Sequence, residues 1–145
     1  MNKFSRKAGR PLGAALLVAV SMAMFAGGAL AGDVQVTLSG DQEVPPVKTM
    51  ASGSGTISIG ADKSVHGGIT TKGLSASAAH IHEAAAGENG PVIIPLTKSG
   101  ADGWMVPANA KLTDAQYSAF EAGKLYVNVH TKEHPGGEIR AQLKP

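Results

Sequence analysis

The residues best able to do chemistry in this sequence are two histidines separated by a single residue. His80 and His82 flank Ile81 in a segment that we predict to be a strand. Residues two apart in a strand point to the same face, so the two imidazoles would stand side by side. Two such rings can bind one metal ion without a thiol, and the chain has no cysteine. The pair alone is equally compatible with an exposed polar strand face.

Two further histidines lie downstream. Residues 125–130 alternate between apolar and polar, and Tyr126, Asn128 and His130 are predicted to share the polar face. His134 follows just before a Pro-Gly-Gly segment that is typical of a tight turn. A strand end and its turn can present His130 and His134 near each other, although this spacing does not establish that they meet the first pair. The remaining histidine, His66, is interpreted as solvent-facing.

The first thirty-one residues are predicted to be a cleaved signal peptide. Lys3, Arg6, Lys7 and Arg10 precede an apolar stretch, and a small-x-small Ala-Leu-Ala sequence ends at residue 31. This order is typical of general export, and the apolar stretch is shorter than the roughly 20 residues that a membrane span needs. We therefore expect a mature domain at 32–145 that is periplasmic or secreted and has no membrane span after cleavage.

The charge of the predicted mature domain excludes a basic nucleic-acid surface. The whole chain of 145 residues carries a formal charge of +2 at neutral pH. Without the four basic residues of the leader, acidic residues outnumber basic ones and no basic run remains. Aromatic residues make up only 4% of the chain, which also disfavours a stacking platform for bases. Nucleic acid is therefore not an expected partner.

The mature domain is predicted to be all-β, as an antiparallel Greek-key β-sandwich or barrel with one short surface helix. Short runs of alternating or β-branched residues are separated by Gly, Pro, Asn and Asp turns. Residues 40–54 contain a Pro-Pro pair and are predicted to be a loop. Thr113 and Gln116 form a capping-box pattern at the start of a helix predicted for 114–122. The predicted strands are 34–38, 56–59, 65–70, 78–83, 92–96, 104–106, 125–131 and 138–143.

Several separated motifs occur in order along residues 34–143. They are LSGDQEVPP at 38–46, HIH at 80–82, GPV at 90–92, LYVNVHT at 125–131 and HPGGEIRAQL at 134–143. These motifs resemble the CHRD domain, the module named after chordin and also found in secreted bacterial proteins. The resemblance covers most of 34–143 and implies an extracytoplasmic β domain that stands alone.

The histidine layout shows a second, weaker resemblance, to Cu/Zn superoxide dismutase. In that family, a His-x-His strand and a distant Val-His strand end supply copper ligands on a Greek-key barrel. The resemblance implies that His80, His82 and His130 are copper ligands. The sequence departs from the family in lacking the disulfide, a zinc-ligand cluster and an alignable bridging histidine. The layout therefore supports a metal site better than it supports dismutation.

A metal site formed by His80, His82, His130 and His134 is the prediction for chemistry. Imidazoles without thiolate suit Cu(II) or Zn(II), and copper has the higher intrinsic affinity for nitrogen ligands, so copper is placed first and zinc second. An extracytoplasmic metal-binding protein is favoured over a protein-interaction or envelope-structural module, whose partner would be an envelope or extracellular protein. A copper redox enzyme of the dismutase type is placed third. A non-enzymatic role is thus favoured, and no catalytic residue is assigned.

Overall fold

Two antiparallel sheets form a sandwich in the computed structural model, which describes residues 32–145. The predicted signal peptide at 1–31 lies outside the described residues. The first sheet has the order β1-β2-β3-β7-β6 and the second has the order β5-β4-β8-β9. The strands are β1 (Asp33–Leu38), β2 (Ser52–Ile59), β3 (Val65–Lys72), β4 (Ala76–Glu83), β5 (Val92–Pro95), β6 (Thr97–Ser99), β7 (Gly103–Met105), β8 (Leu125–Thr131) and β9 (Ile139–Leu143).

This architecture confirms the prediction of an all-β sandwich with one short helix. Two details of the strand prediction were wrong. β2 begins at Ser52, inside the predicted loop at 40–54, because its small polar residues pair with both β1 and β3. β6 carries only exposed side chains, so it shows no apolar alternation and is held by its hairpin pairing with β7.

The core lies between the inner faces of the two sheets. Alternate residues of β1 are buried, as the pattern of Val34, Val36 and Leu38 predicted. Leu125, Val127 and Val129 of β8 are fully buried in the same apolar cluster. Burial of such side chains contributes roughly 1.5–3 kcal/mol each, so this cluster holds β8 in place.

The helix α1 (Asp114–Glu121) connects the first sheet to β8 and begins as predicted. The Thr113 hydroxyl accepts from the Gln116 backbone N–H at 3.1 Å. The Gln116 side chain accepts in return from the Thr113 N–H at 2.9 Å, which completes the capping box. Phe120 is the buried residue of the helix and belongs to the core.

The second sheet is covered on both faces, and this determines the site. Its outer face, opposite the core, carries Tyr126, Asn128 and Arg140, and each of these is at most 2% exposed. The β1–β2 loop (39–51) and the β4–β5 loop (84–91) lie over this face. They are tied to each other by Asn89 Nδ2, which donates to the Val44 carbonyl at 2.7 Å. A polar layer is therefore enclosed between the sheet and its loops.

Candidate metal centre

Two adjacent strands bring three histidines together on the outer face of the second sheet. His80 and His82 lie on β4, and His130 lies on β8 opposite Ala78. Directly paired residues of antiparallel strands point to the same face, so all three rings share one side of the sheet. One potential ligand atom from each histidine lies within 4.8 Å of the others. The predicted side-by-side arrangement of His80 and His82 is confirmed, and the structure brings His130 to them.

Backbone carbonyls fix which nitrogen of two of these rings is free. His82 Nδ1 lies 3.0 Å from the Gly90 carbonyl, and His130 Nδ1 lies 2.9 Å from the Pro135 carbonyl. A carbonyl can only accept, so each Nδ1 carries the hydrogen and each Nε2 keeps its lone pair. The Nε2 of His82 is buried and has no hydrogen-bond partner within the described chain. An unpartnered lone pair in a buried position is what a metal ligand needs.

The third ring completes the convergence. His80 Nδ1 lies 2.9 Å from His130 Nε2. Because His130 Nδ1 carries the hydrogen, its Nε2 is the acceptor and His80 Nδ1 donates to it in the metal-free protein. A separation of 2.9 Å is also compatible with two metal–nitrogen bonds of about 2.0–2.1 Å. For both atoms to bind one ion, the hydrogen on His80 Nδ1 would have to move to Nε2 of the same ring, which leaves a lone pair on Nδ1 for the metal.

The surroundings of His80 and His82 keep these two rings neutral. Burial lowers the pKa of His80 below its usual 6.5, and the nearby charges of His130 and His82 lower it further. Burial also lowers the pKa of His82. The hydrogen bond to the Gly90 carbonyl acts in the opposite direction and raises it. Only a neutral imidazole can ligate a metal, so both rings are available at neutral pH.

The ring of His82 is held by an aromatic and cationic stack. Tyr126 lies parallel to it, with ring centroids 4.7 Å apart and an interplanar angle of 1°. The Arg140 guanidinium carbon lies 3.5 Å from the centroid of the Tyr126 ring. Arg140 alternates with apolar residues along β9, a pattern that usually indicates a solvated side chain, but Arg140 is 1% exposed. Strand alternation identified the outer face but carried no sign that loops cover it.

A buried carboxyl completes the polar layer. Glu43 of the β1–β2 loop is 3% exposed, and its burial raises its pKa to about 7, although Asn128 and Arg140 act in the opposite direction. Gly137, at φ +124°, makes room for it, since a Cβ at that position would collide with the Glu43 carboxylate and the Asn128 amide.

The structure does not bring His134 into the group of three. Its Nε2 lies 3.7 Å from Glu138 Oε1, and its backbone N–H donates to the Thr131 hydroxyl at 3.1 Å. The turn after β8 thus directs His134 towards Glu138 rather than towards His130. His66 is exposed on β3 of the other sheet, as predicted.

Two comparisons with known proteins gave no match, and one identifies the family. No curated protein and no solved structure matches the chain. No helix within residues 32–145 has both the length and the apolar character needed to cross a membrane. The model of the CHRD domain family matches residues 34–143, which span both sheets and all three clustered histidines. The chain therefore belongs to the CHRD domain family.

Proposed function

We propose that this CHRD-domain protein binds one transition-metal ion through His80, His82 and His130, with copper as the first choice and zinc as the second. The observation that carries this proposal is the convergence of three imidazole nitrogens within 4.8 Å on two paired strands. The unpartnered, buried Nε2 of His82 supports it independently. This second feature is costly for a purely structural face, because a buried polar atom without a partner destabilises a fold by roughly 1–3 kcal/mol.

The choice of metal follows from the donors. Three neutral imidazoles and no thiolate suit copper and zinc, whereas calcium and magnesium require oxygen ligands. Copper exceeds zinc in intrinsic affinity for nitrogen ligands. The backbone carbonyls of Gly90 and Pro135 orient two of the rings.

The proposed place of action is the periplasm or the outside of the cell. The basic start, the apolar stretch and the Ala-Leu-Ala sequence of residues 1–31 support export. An exported protein can meet copper, and three protein ligands leave the ion open to a further ligand. This combination favours a carrier, buffer or resistance factor that accepts and releases copper.

Calorimetric titration of the metal-free protein with Cu(II) at neutral pH tests the proposal. We expect one ion per chain, and replacement of both His80 and His82 by alanine is expected to abolish that binding, since two of three ligands are lost. His66→Ala is the matched control, because it removes an exposed histidine from the other sheet. His134→Ala measures whether the fourth predicted residue contributes. Unchanged stoichiometry and affinity in the double variant would sink the proposal.

A further inference from the structure

We propose that this site selects monovalent copper over Cu(II) and Zn(II), because the buried guanidinium of Arg140 is stacked behind one of its ligands. The inference rests on the proposed function, since it concerns the ion held by the same three histidines. It assigns a role to a cation that the ligand set itself does not use.

The guanidinium and His82 lie on opposite sides of one aromatic ring. Tyr126 belongs to β8, which lies between β4 with His82 and β9 with Arg140. The His82 and Tyr126 rings are parallel at 4.7 Å, and the guanidinium carbon lies 3.5 Å from the Tyr126 centroid. Only the Tyr126 ring separates the guanidinium from the His82 ring, so a metal ion bound to His82 would meet the field of this positive charge.

The positive charge of Arg140 is permanent and is held by neutral acceptors. Guanidinium remains protonated in proteins, and this one is 1% exposed. Its side-chain nitrogens donate to the carbonyls of Glu88 and Ala85, at 2.8 and 3.2 Å. They also donate to the side-chain oxygens of Asn89 and Gln142, at 3.3 and 3.2 Å. No carboxylate is among its hydrogen-bond partners within residues 32–145.

The carboxyl that acts on Arg140 compensates its charge only in part. Glu43 interacts electrostatically with Arg140, and burial raises the pKa of Glu43 to about 7. At neutral pH the Glu43 carboxyl is therefore only partly ionised. The outer face thus keeps a net positive field next to the histidines.

The donor set offers no charge to balance a dication. All three clustered ligands are imidazoles, which are neutral when they ligate. Raising the ion from one to two positive charges beside a fixed cation in a partly buried site costs electrostatic energy. The repulsion between the guanidinium and the ion is proportional to the charge of the ion. Cu(I) therefore meets about half of the repulsion that Cu(II) or Zn(II) meets. Selectivity for monovalent copper follows from the field and the neutral donors together.

Measured affinities for three ions test this inference. Cu(I) affinity is measured anaerobically against a colorimetric Cu(I) chelator, and Cu(II) and Zn(II) affinities are measured by calorimetry. In Arg140→Gln, we expect the affinities for Cu(II) and Zn(II) to rise about tenfold relative to that for Cu(I). Arg140→Lys, which keeps the charge, should retain the wild-type ratio. An unchanged ratio in Arg140→Gln overturns the inference.

A second variant acts in the opposite direction and leaves the buried guanidinium in place. At pH 8 the Glu43 carboxylate of the wild type is mostly ionised, so Glu43→Gln removes a negative charge and should increase the preference for Cu(I). Equal ratios in wild type and Glu43→Gln at pH 8 would contradict the inference even if Arg140→Gln does not fold. Failure of the wild type to bind copper in either oxidation state would instead refute the proposed function.

Discussion

Copper affinity is expected to hold from neutral pH into mildly acidic solution and then to fall steeply. Each ligand must be a neutral imidazole, so protons compete with the metal once the histidines titrate. Because burial and neighbouring charges lower the pKa of His80 and His82, protons compete for these two rings at lower pH than for ordinary histidines near 6.5. With three imidazoles to deprotonate, the limiting slope approaches about a thousandfold per pH unit.

This profile is measured by competition with a chelator of known, pH-corrected copper affinity between pH 4 and 8. His66→Ala is the control, and its profile should superimpose on that of the wild type. An affinity that already falls tenfold between pH 8 and 7 would contradict the neutral, partly buried site described above. A shallow slope of one proton would show that a single histidine carries the binding.

The second large effect concerns Glu43 and the stability of the metal-free protein. The pKa of this carboxyl is raised from 4.5 to about 7 in the folded chain. A raised pKa means that the folded state binds the proton more tightly than the unfolded state does. Its stabilising contribution is therefore fully present below pH 4.5 and is lost as pH rises through 7. The contribution of Glu43 to the free energy of unfolding therefore falls by about 3 kcal/mol between low and high pH.

Glu43→Gln replaces the carboxyl by an amide of similar size, and this amide cannot ionise. We expect the unfolding free energy of the wild type, taken relative to Glu43→Gln, to fall by about 3 kcal/mol between pH 4.5 and 8. Urea unfolding with a chelator present measures it, since bound metal would add stability of its own. Comparing the two proteins cancels the histidine titrations they share, and Glu121→Gln controls for the loss of one exposed negative charge. A pH-independent difference would contradict the buried environment of Glu43.

Much of the fold could be predicted from the sequence, because alternation of apolar and polar residues identifies a strand that buries one face. Val34, Val36 and Leu38 of β1 are buried as the pattern predicts. The short-range rules for the capping box also held, since they depend only on Thr113 and Gln116. β6 could not be found in this way, because its exposed residues carry no apolar signal.

Part of the site was also accessible from the sequence. Residues two apart on a strand share a face, which placed His80 beside His82. The pairing of β4 with β8, which brings His130 to them, depends on long-range packing that alternation does not report. The structure groups His130 with His80 and His82 but not His134, because the geometry of the turn, and not only the spacing of four residues, decides where the His134 side chain points.

The polar layer around His82 escaped prediction for a different reason. Tyr126, Asn128 and Arg140 alternate with apolar residues, and this pattern indicates a solvated face. Two loops cover that face, and the Glu43 side chain enters from one of them. The alternation would have been the same without the loops, so burial of Arg140 could not be read from β9 alone.

Anomalous diffraction at the copper absorption edge from crystals of the copper-loaded protein tests the central claim most directly. The account predicts one strong peak per chain, within bonding distance of His80 Nδ1, His82 Nε2 and His130 Nε2. His82→Ala crystals grown in the same way should lose this peak. A peak beside His134 and Glu138, or no peak near the three clustered histidines, would contradict the account.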